Sequence, residues 1–458
     1  MPMNRTLVDK LWDAHRIASL GDGVDLLHID RTFLHERTGA VALDGLVQAG
    51  REPARPESVF CTFDHIVSTD PGRASDSARS PGGEVFITET RRLAREMGIR
   101  LFDVLDPDQG IVHVISPELG LALPGLTVVC PDSHTGTLGG LGALAWGIGS
   151  SDAEHTVATG TLALRKPPQM RITLDGELAP GITAKDIALH IIGTLGASGA
   201  KRSYVEFAGP AIEALDVEAR LTLCNLGVEF SAFAAIIAPD RKVFDYVRGR
   251  RHAPTGADWE AALEDWQDLK SDPDARFDYE HRIDAAAIRP TVTWGISPEH
   301  ALPIGASVPG GPKEALDYMG LQPGQQLSDH PLDGAFIGSC TNARLSDLRA
   351  AADVLRGRHV ADGVRAIVVP GSMSVRRAAE AEGLDRVFTD AGFAWQASGC
   401  AFCFYAGGDT WAPRSRVISS TNRNFRGRQG PGVRTHLASP AVVAASAIAG
   451  RITAPDTL

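Results

Sequence analysis

The segment AFIGSCTNARLSDLRAAADVL, residues 335–355, indicates the fold class of this chain. Its first residues, 335–337, are a short apolar run that predicts a buried strand, and a loop follows them. Ser346 then predicts the cap of a helix that continues to about residue 355. A strand, a loop and a helix in this order are typical of α/β layers, whose chemistry gathers in loops beyond the strand ends. Cys340 lies in this loop.

Shorter segments elsewhere repeat this alternation. In the first part of the chain, 84–87 and 126–130 predict strands, and 89–97 predicts a helix. A second part begins with a predicted strand at 170–174 and a predicted helix at 184–195. The alternation predicts an α/β fold in which helices cover sheets.

The chain is long enough for three domains. Its 458 residues, divided by about 150 residues per domain, predict that number. A polar, aspartate-rich stretch at 259–284 is the best candidate for a boundary. We therefore expect three α/β domains, at 1–168, 169–285 and 286–458. In the last of them, Ser439 predicts a helix cap and Pro440 the first turn, where the missing N–H group costs nothing.

The composition narrows the class of protein. Hydrophobic residues make up 43% of the chain and charged residues 22%, values typical of soluble globular proteins. A net charge of −11 disfavours binding to nucleic acids or anionic membranes, so neither partner is expected. The chain begins without a secretory signal pattern and has no apolar run near the ~20 residues that cross a bilayer, which predicts a cytoplasmic protein.

Three of the six cysteines stand in glycine-containing motifs. Cys340 lies in GSCTN, and Cys400 and Cys403 lie in GCAFC. The C-x-x-C pair by itself fits two packed cysteines, a thioredoxin-like dithiol or half of a zinc site. A dithiol would leave Cys340 unexplained, and no second cysteine pair or nearby histidine pair completes a zinc site with four ligands. Three thiolates also fit a 4Fe-4S cluster whose fourth iron lacks a protein ligand and can act as a Lewis acid.

Three histidines of the first part stand in polar motifs. Asp64-His65 and Asp132-Ser133-His134 place an acid beside a histidine, and His113 follows a Gln-Gly pair. A carboxylate can hold an imidazole in one tautomer and keep it charged, which suits an acid that protonates a leaving hydroxyl. Each histidine alone is also compatible with a surface or core position. Because neighbours on a strand point in opposite directions, Asp64 and His65 need a loop to meet.

A local basic patch occurs near the C-terminus. The segment NRNFRGR, residues 422–428, carries three arginines, and arginine side chains bind carboxylates with two parallel hydrogen bonds. A solvated charged loop is the alternative for this segment. A similar group at 248–251 has no chemical motif near it, and we assign it to that alternative.

Together these motifs resemble the aconitase superfamily, and most closely the large subunits of 3-isopropylmalate dehydratases. The resemblance runs from about residue 7 to about residue 452. Its motifs are QGIVHV at Gln109, DSHT at Asp132, LCN at Leu223, GSCTN at Gly338, GCxxC at Gly399 and the segment from Asn422 to Pro440. It implies three α/β domains of the aconitase type around a central cluster site, lacking the fourth, swivelling domain.

The resemblance also implies roles for individual residues. The ligands of a 4Fe-4S cluster with one iron free of cysteine would be Cys340, Cys400 and Cys403. The catalytic pairs would be His65 with Asp64, His113 with Asp132 and His134 with Glu229. His65 matches the acid that protonates the departing hydroxyl. The residues that line the cluster or bind substrate carboxylates would be Ser133, Asn225, Asn422, Arg423 and Arg428.

The implied activity is that of a hydro-lyase that isomerises 2-isopropylmalate to 3-isopropylmalate by dehydration and rehydration, in leucine biosynthesis. The substrate is a small 2-hydroxy diacid. Members of the family take a serine base and a further arginine from the swivelling domain. Since the sequence stops at Leu458, soon after its last predicted helix, we expect a separate small subunit to supply that domain.

Departures from the family pattern keep the substrate open. They are Leu138 in place of a histidine, the bulky pairs Ala401-Phe402 and Phe404-Tyr405, and Arg426 in place of an acid. A gained or lost charge can switch substrate discrimination. The alternative is a paralogue acting on another 2-hydroxy diacid, such as methylmalate (giving citraconate), dimethylmalate, homoaconitate or a specialised metabolite. A cluster-free RNA-binding relative is an alternative of another class, which the net charge of −11 disfavours.

Overall fold

The structure is a computed structural model, and it describes residues 4–458. Three parallel sheets form its frame, and two smaller sheets are antiparallel. Helices alternate with the strands of the parallel sheets along the chain, which confirms the predicted α/β class. No helix within these residues is long and apolar enough to cross a lipid bilayer.

The first parallel sheet has the strand order β5-β4-β3-β6-β7. The elements of this part are α1 (Leu7–His15), β1 (Arg16–Gly21), β2 (Val24–His28), β3 (Arg31–His35), α2 (Glu36–Gln48), β4 (Val59–Thr62), α3 (Gly83–Glu96), β5 (Arg100–Phe102), α4 (Val112–Glu118), β6 (Thr127–Cys130), β7 (Leu144–Gly147), α5 (Ser150–Thr159) and β8 (Thr161–Arg165). Helices α2, α3 and α5 pack on one face of the sheet, and α4 packs on the other. β1, β2 and β8 form a separate antiparallel sheet.

The strand predicted at 84–87 is wrong, because these residues belong to α3. The buried residues Ile87, Thr90, Leu93 and Ala94 follow the spacing of one helix face. A four-residue apolar run cannot distinguish a strand from one turn of a helix, so the run alone gave the wrong element.

The second parallel sheet has the order β11-β10-β9-β12. Its elements are β9 (Gln169–Asp175), α6 (Ala184–Leu195), β10 (Tyr204–Ala208), α7 (Pro210–Ala214), α8 (Val217–Asn225), β11 (Ala234–Ile236), α9 (Arg241–Val247), α10 (Ala257–Gln267) and β12 (Tyr279–Asp284). The polar stretch 259–284 contains most of α10, whose Trp259 and Trp266 pack into the core of the first sheet, and all of β12. It therefore connects two sheets, and the domain limits at 168 and 285 stay predictions.

The third parallel sheet has the order β17-β16-β15-β18-β19. Its part of the chain contains β13 (Thr291–Thr293), β14 (Ala301–Pro303), α11 (Lys313–Met319), β15 (Gly334–Ile337), α12 (Leu345–Leu355), β16 (Arg365–Val368), α13 (Met373–Ala381), α14 (Leu384–Ala391), β17 (Phe393–Trp395), β18 (Arg416–Ser419), β19 (Arg434–Leu437) and α15 (Pro440–Ala449). The predicted start of the last helix, with Ser439 before Pro440, is confirmed.

The cap predicted at Ser346 is wrong. Helix α12 begins at Leu345 with Arg344 at the cap position, two residues earlier than predicted, and the Asp347 carboxylate accepts the N–H of Arg344 at 3.1 Å. The Ser346 hydroxyl instead donates to Glu218, which lies in the second part of the chain. A contact between distant parts of the chain has taken the side chain that the local sequence offered as a cap.

The first and third sheets share one topology. In each, the first strand in sequence is central, the next two strands lie on one side of it, and the last two lie on the other. Loops from the central strand and its later neighbour leave such a sheet in opposite directions, which opens a crevice at the carboxyl edge. In the first sheet this point lies between β3 and β6, and in the third sheet between β15 and β18.

Candidate active site

A cavity of about 230 Å³ is lined by loops from the first and third sheets. The predicted site residues that line it are Asp64, His65, His113, Asp132, Ser133, His134, Cys340, Cys400, Cys403, Arg423 and Arg428. The other predicted residues, Asn225, Glu229 and Asn422, lie behind this lining and bond to it. The structure thus brings together every residue that the sequence proposed for the site.

The three cysteines converge on this cavity. The Ser339 hydroxyl lies 3.9 Å from the sulfur of Cys340 and donates to the sulfur of Cys403 at 3.6 Å. Ser339 and Ala401 have positive φ angles of 82° and 44°, an uncommon conformation for residues other than glycine. Both cysteine loops are therefore held in strained backbone, a feature that clusters at functional sites.

Amide groups surround the sulfur atoms. Asn225 donates to the Cys340 sulfur at 3.1 Å, and Asn422 donates to it at 3.5 Å. Burial raises the pKa of Cys340 to about 12, so without a metal this thiol stays protonated at neutral pH. Buried thiols around one cavity, with N–H donors aimed at sulfur, fit an iron-sulfur group, whose sulfur ligands accept such hydrogen bonds.

The loop of Cys400 meets the loop of the first histidine pair. The backbone N–H of Cys400 donates to the carbonyl of Asp64 at 2.7 Å. A side chain at Gly399 would approach the methyl group of Thr69 to 2.8 Å, so glycine permits the close contact. This contact joins the thiols of the third sheet to the acid–base residues of the first.

Asp132 is the centre of the histidine network. Its carboxylate lies 3.1 Å from the Nε2 atoms of both His113 and His65, and it accepts the backbone N–H of His134 at 2.7 Å. Burial acts to raise the pKa of Asp132, but hydrogen bonds from His113, His134 and His65 hold it well below its usual value. Asp132 is therefore ionised, and it serves all three histidines rather than only His113.

His65 lies between two carboxylates. Its Nδ1 atom is 2.5 Å from Asp64, and its Nε2 atom is the one that faces Asp132. Burial acts to lower the pKa of His65, but the charge of Asp64 and the hydrogen bonds to Asp132 and Asp64 raise it well above its usual value. Both ring nitrogens thus carry protons, and such an imidazolium has no lone pair to complete a zinc site beside Cys400.

Glu229 brings the second part of the chain into the site. It accepts a hydrogen bond from His134 Nε2 at 2.8 Å and lies 2.8 Å from the Nε atom of Arg423. Arg423 also donates to the hydroxyl of Ser133 at 3.0 Å. Burial acts to raise the pKa of Glu229, whereas the bond from His134 and the charge of Arg423 lower it overall, so the glutamate is ionised.

A family model described as the aconitase family (aconitate hydratase) matches residues 9–450. The chain belongs to the aconitase family. It is 52% identical, over 98% of its length and 96% of the relative, to the 3-isopropylmalate dehydratase large subunit 1 of Bradyrhizobium diazoefficiens. The crystal structure of Thermococcus kodakaraensis aconitase X (holo-form) superposes with a TM-score of 0.47, at 15% identity, over 87% of this chain and 84% of that one. The predicted family and hydro-lyase class are confirmed.

Glu36 is a residue of this aconitase-family site that the sequence did not reveal. It is fully buried at the start of α2, and its carboxylate accepts the backbone N–H groups of Asp64, His65, Ile66 and Val67 at 3.0, 2.8, 2.5 and 3.2 Å. Four donors on one carboxylate fix the loop that carries Asp64 and His65. An acid in the first turn of a helix is common, so the sequence held no signal for this contact.

Two further residues of the site lie outside the predicted set. His35 stacks on His65 with ring centres 4.0 Å apart, and burial lowers its pKa to about 4, which keeps it neutral. Lys185, on α6, is fully buried and donates to the carbonyl groups of Ser420 and Thr421, directly before Asn422. A lysine inside an apolar helix pattern was the one available signal, since a buried lysine needs a specific partner.

The departures from the family pattern lie at different depths. Leu138 is fully buried in the core of the first sheet, and Phe402 packs against Phe336 and Trp411. Arg426 pairs with Glu314 outside the cavity. Only Phe404 lines the cavity, which makes it the departure with direct access to a ligand.

Proposed function

We propose that this chain is the catalytic large subunit of a 3-isopropylmalate dehydratase, which isomerises 2-isopropylmalate to 3-isopropylmalate in leucine biosynthesis. The relative with 52% identity over nearly the whole chain carries that name. One structural observation carries the proposal, namely that Cys340, Cys400 and Cys403 line the same cavity as His65 between its two carboxylates.

The three cysteines would hold a 4Fe-4S cluster with one iron free of cysteine. Such a cluster, when bound, supplies a Lewis-acidic iron to the substrate hydroxyl. The amide groups of Asn225 and Asn422 would continue to donate to sulfur, and Ser339 would hold the two cysteine loops at their present separation.

His65 would provide the proton for the departing hydroxyl. Asp64 holds its Nδ1–H group, and the Val112 N–H fixes Asp64 in turn at 2.9 Å. The proton on Nε2 now faces Asp132, and a substrate hydroxyl in the cavity would compete for it. Asp132 keeps the imidazole charged until transfer, and the bonds from His113 and His134 keep Asp132 in place.

The substrate would be a small 2-hydroxy diacid, with Arg423, Arg428 and Ser133 near its carboxylates. A separate small subunit would supply the serine base and a further arginine, so this chain alone should show little turnover. We place the assembly in the cytoplasm and expect no nucleic-acid or membrane partner. The alternative of a paralogue with another diacid is favoured by one observation, the presence of the bulky Phe404 in the cavity.

The test is turnover by the chain after anaerobic cluster reconstitution, with its small subunit, on a panel of 2-hydroxy diacids. We expect 2-isopropylmalate to give the highest kcat/KM. A higher value for methylmalate or dimethylmalate would support the paralogue. Anaerobically purified protein that is colourless and without iron would contradict both, and filter binding of mixed RNA at physiological salt would then test the RNA-binding alternative.

A further inference from the structure

Arg37 is an exposed arginine that lines the cavity, although no site motif contains it. Its guanidinium carbon lies 4.9 Å from the ring centre of Phe404. The guanidinium carbon of Arg428 lies 5.6 Å from the same ring centre. Both guanidinium groups thus lie against one aromatic ring, and both arginines belong to the lining of the cavity.

The charges around this ring are not balanced by the chain. Asp64, Asp132 and Glu229 already bind histidines, and Glu229 also takes Arg423. Within residues 4–458, neither Arg37 nor Arg428 lies within ion-pair distance of a carboxylate. Two unpaired guanidinium groups against one ring repel each other, and an anion bound in the cavity that both groups line would offset this repulsion.

Arg428 carries a second sign of an incomplete site. It donates to the sulfur of Cys403 at 3.6 Å, yet its Nε–H group is buried and has no hydrogen-bond partner among the described residues. A buried donor without a partner costs about 1 to 3 kcal/mol. An acceptor that enters the cavity would remove this cost.

The backbone that carries Arg37 is held in place. Glu36, the preceding residue, binds the N–H groups of four residues of the neighbouring loop, and His35 stacks on His65. The ring of Phe404 in turn lies 5.5 Å from the ring of His65, centre to centre. The backbone of Arg37 is therefore fixed relative to His65, while its guanidinium group remains free to bind a ligand.

We infer that Arg37 and Arg428, over the ring of Phe404, form a clamp for the substrate carboxylate that points away from the cysteines. The inference rests on the proposed function and deepens it, because it makes Arg37 a specificity-determining residue for diacids. Guanidinium groups match carboxylates in geometry, and the cation–π contact with Phe404 orients the long side chain of Arg37 before the ligand arrives.

The test compares two ligands on the anaerobically reconstituted chain. Malate is the simplest 2-hydroxy diacid, and lactate lacks its second carboxylate. We expect Arg37→Met to raise the Kd of malate about tenfold, since one charge-assisted contact is lost, and to leave the Kd of lactate unchanged. Arg37→Lys should retain part of the malate affinity. The matched control is Arg51→Met, which removes another exposed arginine without an ion pair in the described chain.

The outcomes separate this inference from the proposed function. If the wild-type chain prefers malate and Arg37→Met binds it equally well, the clamp is wrong and the proposed function stands. If the wild-type chain binds neither acid, the clamp is overturned, whereas the proposed function is decided by turnover with the small subunit. In the complete enzyme the clamp predicts a KM that rises about tenfold for Arg37→Met with kcat within about twofold, and a fall in kcat alone would contradict it.

Discussion

The first and third sheets have equivalent strand orders, and loops at the carboxyl edge of each line the cavity. The two sets of loops carry different chemical groups. At the edge of the first sheet, Asp64, Asp132 and three histidines form a closed hydrogen-bonded network. At the edge of the third sheet, buried thiols face neutral amide groups.

Burial disfavours charge at both edges, and the outcome depends on the partners available. Around Asp132, hydrogen bonds from His113, His134 and His65 hold its pKa well below the usual value despite burial. Around Cys340, burial raises the pKa to about 12 because the amide donors are too weak to compensate. The carboxylates of the first sheet therefore find their partners within the chain, whereas the cysteines would become charged only when a metal replaced their protons.

The largest effect should come from replacing a cysteine at the edge of the third sheet. Cys340→Ser should lose most of its iron after reconstitution and lower the turnover of the complete enzyme by about 100-fold or more, because one cluster ligand is missing. Iron analysis and initial rates measure this. Cys224→Ala, which removes a buried thiol outside the cavity, is the control. Unchanged iron in Cys340→Ser would favour a dithiol or zinc site made by Cys400 and Cys403 alone.

A change in the network of histidines and carboxylates at the edge of the first sheet should alter the reaction rate and leave the metal content unchanged. Asp132→Asn removes the charge that three histidines share, so kcat should fall by roughly 10²- to 10⁴-fold while the chain keeps its iron. Steady-state kinetics with the small subunit checks this against the exposed control Asp274→Asn. A fall of less than about threefold would show that the network does not depend on Asp132.

The contribution of Glu36, which holds the loop of Asp64 and His65, should appear in the free energy of unfolding. Glu36→Gln keeps one oxygen for the N–H groups of His65, Ile66 and Val67 but sets its amide nitrogen against the N–H of Asp64, which should lower the free energy of unfolding by up to about 3 kcal/mol. Urea unfolding of the metal-free chain measures this, with the exposed Glu52→Gln as control. Equal midpoints for the two variants would mean that the loop of Asp64 and His65 is held by other contacts.

The smallest effect concerns Glu118, a half-buried acid at the end of α4. It accepts a 2.7 Å hydrogen bond from Ser372, which lies directly before α13, and so links the first and third parts of the chain. Burial raises its pKa to about 7. Between about pH 4.5 and pH 7 the folded chain keeps a proton that the unfolded chain releases, so its stability falls as pH rises through this window and stays lower above it.

Glu118→Gln should remove that loss and stabilise the chain at pH 8, relative to pH 4.5, by on the order of 2 kcal/mol after allowance for partial exposure. Urea unfolding at both pH values measures the difference, and Glu52→Gln again serves as the control. A difference that does not depend on pH would mean that Glu118 titrates normally.

Local order along the chain explains which parts of the fold were predictable. The strand and loop before α12 were recognised because their apolar run and glycine are contiguous in the sequence. The strand prediction at 84–87 was wrong because four residues are too few to show a period. The cap prediction at Ser346 was wrong because Glu218, from another part of the chain, binds that side chain.

The α/β class, the family and the residues that gather at the cavity follow from the sequence alone, because motif residues lie in loops directly after strands and such loops meet at one edge. How these residues share their charges depends on the tertiary structure. Asp132 serves three histidines, Glu36 holds a loop that begins 28 residues later, and Arg37 meets Phe404, all through space. How deeply a group is buried and which group it pairs with depend on contacts between distant segments, which no local pattern encodes.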